Sequence, residues 1–187
     1  MVNWAGPPAM LTIFRKFFGS FSAPHIIRLN SFTNFQHYFL QKTIPLAMGG
    51  LRNAHGICPP EVIKFLLDLF KYNDNNKNRY SDNYYRAALV EALGCTITPV
   101  VSVMQHGAPI TFESLSSDTK LVLEEITRLL NLEKAGPCYK YTVTVACLKS
   151  IRKLQKYGHL PSSASLFKSY AAYGQFIGKF MKQLSAQ

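Results

Sequence analysis

Apolar residues recur at helical spacing in one segment after another along this chain, with no strand–helix–strand alternation between them. Val62, Ile63, Leu66, Leu67, Leu69 and Phe70 form a broad apolar face behind Pro59, Pro60 and Glu61. Prolines suit a first helical turn and a carboxylate there suits the helix dipole, so a helix runs to about Tyr72. Leu121, Val122, Leu123, Ile126, Leu129, Leu130 and Leu132 repeat the pattern, with Ser117 or Asp118 as cap and Gly136-Pro137 as stop. From Tyr139 to Tyr157 the start YTVTV is β-branched enough for a strand, yet Val143, Cys147, Ile151 and Leu154 share one side of a helix that Gly158 ends.

Other helices complete the series. Ser81 is the expected N-cap of a helix whose good formers run from Arg86 to Leu93, and Gly94 stands where a left-handed residue commonly closes one. Upstream, one helix is predicted over Met10 to Phe18 and another over about Thr33 to Met48, kinked at Pro45 and ended by Gly49-Gly50. Downstream, a helix is predicted over Ser163 to Tyr173, then a weaker one interrupted by Gly174 and Gly178. Residues 96–112, TITPVVSVMQHGAPITF, are β-branched and punctuated by Pro and Gly, which predicts an extended connection with strand character.

Successive amphipathic helices on short loops predict an all-α chain of stacked antiparallel helix pairs, a HEAT/ARM-like α-solenoid, with a compact bundle as the competing arrangement. No period of about 34 or 40 residues is visible, so this reading rests on helix order and not on a repeat motif. It divides the chain into a partly irregular segment with a short helix at 1–30, a helical-repeat domain at 31–174 and a divergent tail at 175–187.

Composition narrows the function classes. The 187 residues are 48% hydrophobic and 17% charged, which suits a packed domain and excludes wholesale disorder. Lys and Arg number 21 against 10 Asp and Glu, a formal charge of +11 that favours anionic partners. No apolar stretch approaches the ~20 residues that span a bilayer. The first acidic residue is Glu61, after Arg15, Lys16, Arg28, Lys42 and Arg52, so the beginning resembles an acid-poor transit peptide.

Motifs for chemistry are sparse. In KYNDNNKNRYSDNYYR, residues 71–86, Asp74, Asn76 and Asn78 alternate as calcium ligands do at the start of an EF-hand loop. Arg79 then stands where the loop needs Gly and Tyr85 where it needs a bidentate Glu, so the charge and the turn are both missing. Local Asn and Asp bonding instead predicts a reversal between two helices, with the rings of Tyr80, Tyr84 and Tyr85 packing around it. His25, His37, His55, His106 and His159 occur singly, and HExxH, GxSxG and GxxxxGK[ST] are absent. Cys58, Cys95, Cys138 and Cys147 contain no CxxC pair and read as small core residues. No catalytic residue, cofactor, metal or small-molecule substrate is predicted.

One surface does suggest binding. Lys149, Arg152, Lys153 and Lys156 fall on the side of their helix opposite the apolar face, where four cations meet phosphates or an acidic partner, or simply face solvent.

Four blocks carry a family likeness: FTNFQHYFLQKTIPLAMGGLRN, PPEVIKFLLDLFKYNDNNKNRYSDNYYRAALVEALG, LVLEEITRLLNLEK and YKYTVTVACLKSIRKLQKYGHLPS. Together they resemble the helical-repeat region of the large TBP-associated subunit 2 family of the general transcription factor TFIID, over Leu11 to Tyr173. The resemblance implies a nuclear, noncatalytic scaffold that supports RNA polymerase II initiation, holds other TFIID subunits and helps engage core-promoter DNA. That family carries an aminopeptidase-like region before these repeats and further repeats after them. Since this sequence starts MVNWAGPPA and ends QFIGKFMKQLSAQ, the likeness implies a partial chain. The alternative is a basic helical nucleic-acid-binding domain acting outside TFIID, with an acid-poor mitochondrial protein third.

Overall fold

A computed structural model describes residues 6–76, 78–99 and 114–160. Among these the regular elements are all helical: α1 (Gly6–Phe18), α2 (Phe35–Gly49), α3 (Pro60–Lys71), α4 (Asn83–Thr96), α5 (Ser117–Ala135) and α6 (Thr142–Lys156), with a 3-10 turn at Tyr139–Tyr141 before α6. The expected helices over Ser163 to Tyr173 and beyond, residues 100–112 of the extended connection, and the tail at 175–187 lie outside the described residues. Residues 97–99 of that connection are irregular.

The helices form two layers. α2, α4 and α6 lie side by side with α4 in the middle, while α1, α3 and α5 back them, each packed on the helix that follows it. The inner helices approach closely at small residues, Gly49 against Ala92 and Gly94 against Ser150. Each backing helix packs on its successor, α1 on α2, α3 on α4 and α5 on α6, which makes three consecutive helix pairs. This is the layered order of a helical-repeat solenoid.

The core lies between the layers. Phe14, Met48, Val62, Leu66, Leu89, Leu93, Ile126, Leu129, Val143 and Leu154 are essentially inaccessible to solvent. Phe14 lies tilted against Phe18 at 4.8 Å and meets Phe65 edge-on at 5.2 Å between centroids, tying α1 to α3. Of the face predicted for α5, Val122, Ile126, Leu129 and Leu130 are buried, but Leu121 and Leu132 are exposed. They sit at the margins of the apolar arc, where a backing helix in a two-layer stack has no neighbour.

Several local expectations shift. α1 begins at Gly6, four residues earlier than predicted, with Pro7 in its first turn. The N-cap of α4 is Asp82, not Ser81. Asp82 is buried and shares its carboxylate between Arg86 Nε at 3.0 Å and Asn73 Nδ2 at 2.5 Å, while Ser81 Oγ accepts only from the Asn83 amide at 3.3 Å. The cap of α5 is Ser116, whose hydroxyl accepts from Thr119 N, so Ser117 and Asp118 fall inside the first turn. Gly94 closes nothing: α4 continues to Thr96, and the missing side chain admits Ser150 of α6 instead.

The Asn-rich reversal between α3 and α4 is built from side-chain bonds to backbone. Asp74 Oδ1 accepts from Asn76 N at 2.9 Å, and Asn75 Nδ2 donates to Tyr80 O at 2.8 Å. Asn78 Nδ2 donates to Asn75 Oδ1 and to Asn30 O, both at 2.8 Å, which anchors the loop to the segment before α2. Of the three tyrosines, only Tyr85 enters the core, and burial raises its pKa. Tyr80 stays exposed with its ring edge-on to Phe32, and Tyr84 projects from the inner layer.

Candidate interaction surface

The chemistry of this chain sits on the free side of the inner layer. In α6 the β-branched start is absorbed into the helix because Val143 and Thr144 are buried against neighbouring helices, so packing outweighs strand propensity. Val143, Cys147, Ile151 and Leu154 all face the core as predicted. Lys149, Arg152 and Lys156 are exposed and Lys153 is half-buried, and the four fall within one arc of the helix. Lys153 and Lys156 both lie about 6 Å from the Tyr157 ring, at 5.9 and 6.0 Å, which holds their stems along the helix end.

Lys149 also lines a groove of about 400 Å³ that crosses the inner layer. Each helix contributes the same four-residue stripe: Lys42, Thr43 and Leu46 with Phe39 one turn before in α2; Tyr84, Ala87, Ala88 and Glu91 in α4; Thr142, Val145, Ala146 and Lys149 in α6. The spacing i, i+3, i+4, i+7 is one face of a helix in all three cases. Alanine makes the floor shallow and apolar, and cations stand on both walls.

Lys42 Nζ lies over the Phe39 ring at 5.0 Å and Lys140 Nζ over the Tyr139 ring at 5.3 Å. Lys140 and Tyr141 have φ of 57° and 53°, two successive left-handed residues that are not glycine. Such backbone costs an L-residue roughly 1–2 kcal/mol. The turn is held by the packing around it: buried Glu133 accepts from Cys138 N at 3.1 Å and from Thr144 Oγ1 at 3.0 Å, joining α5 to the start of α6.

The structure thus places Lys149 in the groove and Arg152, Lys153 and Lys156 on its continuation along α6. Sequence reasoning missed Lys42 and Lys140. Neither belongs to a basic cluster: the repetition of one stripe across three helices finds Lys42, and Lys140 is brought to the groove by the 3-10 turn before α6. The cysteines are structural where their surroundings are defined: burial pushes the Cys147 thiol up to about 12 and the Cys58 thiol up to about 11, so both stay protonated at neutral pH. Among the described residues, no three or more His, Cys, Asp or Glu side chains converge as metal ligands do, and no helix is long and apolar enough to cross a membrane.

The family profile "TAF2-like, TPR repeats" matches residues 1–186. Tetratricopeptide and HEAT repeats alike stack helix pairs, the property on which the sequence-based expectation rested. The chain is 70% identical over 177 residues to transcription initiation factor TFIID subunit 2 of Drosophila melanogaster, covering 95% of this chain and 14% of that protein. The Gallus gallus protein of the same name is 54% identical over 184 residues, covering 98% of this chain and 16% of its own length. That of Caenorhabditis elegans is 38% identical over 171 residues, covering 89% and 16%. The chain therefore spans about a sixth or less of the length of these curated relatives.

Proposed function

This chain belongs to the TAF2-like family of helical-repeat proteins, and from that membership we propose that it is a noncatalytic scaffold segment of TFIID. It works in the nucleus, where it binds other TFIID subunits, supports initiation by RNA polymerase II and contributes to core-promoter engagement. The observation that carries this reading is the 70% identity to a TFIID subunit 2 across 95% of the chain, an extent that includes both layers of the described stack. A solenoid suits the role physically, because it offers long continuous faces to several partners without a catalytic centre.

Within that role the stripe Lys149, Arg152, Lys153 and Lys156 contacts DNA or an acidic partner, and Arg152, Lys153 and Lys156, which lie outside the groove, face promoter phosphates. Four cations on one helical arc match a charged backbone, whose binding weakens steeply as salt displaces it. Co-purification from nuclear extract tests the assembly reading: the tagged chain is expected to recover TFIID subunits, and recovery of none overturns it. The same stripe favours a second reading, a basic nucleic-acid-binding helical domain acting outside TFIID. Strong, salt-sensitive DNA binding by the isolated chain, lost in Arg152→Glu/Lys156→Glu and unaccompanied by any TFIID subunit, decides for that alternative.

A further inference from the structure

The groove across α2, α4 and α6 has features that the basic stripe of α6 lacks. Its walls carry Lys42 and Lys140 as well as Lys149, on three different elements. None of the three has an ion-pair partner among the described residues, and each is placed by structure already described: Lys42 by the Phe39 ring, Lys140 by a left-handed turn, Lys149 by the α6 register. A non-glycine residue held at positive φ points its side chain where ordinary backbone would not, and such positions gather at binding sites. Between the cations the floor is Ala87, Ala88, Val145, Ala146 and Leu46, and Glu91 stands exposed among them.

We propose that this groove binds an acidic, extended segment of a protein partner, with carboxylates paired to Lys42, Lys140 and Lys149 and small apolar side chains seated on the alanine floor. Charge complementarity selects the sign of the occupant, and the apolar floor selects a peptide over a nucleic acid. A phosphate chain gains little from a methyl-lined floor, whereas a peptide offers apolar side chains to it and can set an uncharged residue, with its backbone N–H, opposite Glu91. The scale also fits. Helix axes about 8–10 Å apart make a path of roughly 16–20 Å across the inner layer, the length of five or six extended residues. The inference needs only the three inner helices and the turn before α6, so it stands independently of whether the chain works in TFIID.

The test uses the 187-residue chain and a fluorescein-labelled peptide of about ten residues alternating Asp or Glu with Ala or Val, titrated by fluorescence anisotropy. The expected result is saturable binding that Lys42→Glu/Lys140→Glu weakens by about tenfold or more, with the helical circular dichroism unchanged. Lys16→Glu/Lys64→Glu, on the backing helices α1 and α3, makes the same change in net charge and is expected to retain most of the affinity. Equal weakening by both pairs means non-specific attraction to a basic protein and overturns the proposal, as does absence of saturable binding. If a single-stranded DNA of similar length binds more tightly and loses that affinity in Lys42→Glu/Lys140→Glu, the groove is a nucleic-acid site and the peptide assignment falls. If the circular dichroism changes, Lys149→Glu alone, on an exposed helical position, is compared with Lys64→Glu alone, which makes the same change in charge.

Discussion

At the scale of single residues, two glycines of the inner layer do work that local sequence hides. A Cβ on Gly49 would fall within the radius of the Ala92 carbonyl oxygen, which is backbone and cannot yield without moving α4. A Cβ on Gly94 would lie 2.5 Å from Ser150 Oγ, a short side chain that itself donates to Val90 O at 3.3 Å. Gly136 has open space around it and φ of −153°, extended backbone that any residue adopts. Gly49→Ala and Gly94→Ala are accordingly expected to cost about 1–3 kcal/mol each, with Gly49→Ala the larger, while Gly136→Ala stays within about 0.5 kcal/mol. Urea midpoints at constant m-value give the order directly. In the sequence, Gly94 looks like a helix terminator because termination is what glycine most often does at the end of a good run. Its use here depends on Ser150, more than fifty positions away, and no local rule contains that.

At the scale of elements, the helices themselves were legible because apolar periodicity is a local and strong signal. Their ends were less so. Ser81 matches the composition of a cap, yet the helix boundary falls at Asp82, whose side chain makes no capping bond and instead holds Arg86 one turn on and Asn73, the latter only once the Asn-rich loop has folded back. Asp82→Ala is expected to destabilise by about 1–3 kcal/mol, since it strands two half-buried donors and empties a buried position, and Ser81→Ala by about 0.5 kcal/mol or less. Thermal unfolding of the two variants side by side distinguishes them, and equal losses would restore Ser81 as the cap. For the candidate surface, Lys149, Arg152, Lys153 and Lys156 could be found from one helix. Lys42 and Lys140 could not, because their relation to Lys149 exists only once three helices lie abreast.

Across the whole molecule, contacts run between neighbouring helices and α4 holds the centre, flanked by α2 and α6 and backed by α3. In such arrays stability is close to a sum of unit and neighbour terms, so damage spreads according to position. Phe14→Ala and Leu93→Ala both empty fully buried sites and are each expected to cost roughly 2–5 kcal/mol. Hydrogen exchange should nevertheless separate them. Phe14→Ala accelerates amides of α1 and α2 and leaves α6 protected, whereas Leu93→Ala accelerates amides of every inner helix. Uniform acceleration by Phe14→Ala would mean that the stack unfolds as one unit. Only layer order could be anticipated from the sequence here; which helix would be central depended on how many neighbours each one finally acquires.

The close approaches at Gly49 and Gly94 lie on the two flanks of α4, while the groove opens on the face between them. The aperture available to an incoming chain is therefore gauged from outside the binding surface, by two hydrogen atoms standing where side chains would be. A methyl group at either place would widen one half of the groove and leave every residue that lines it unchanged. Specificity could drift in this way with no substitution among the contact residues.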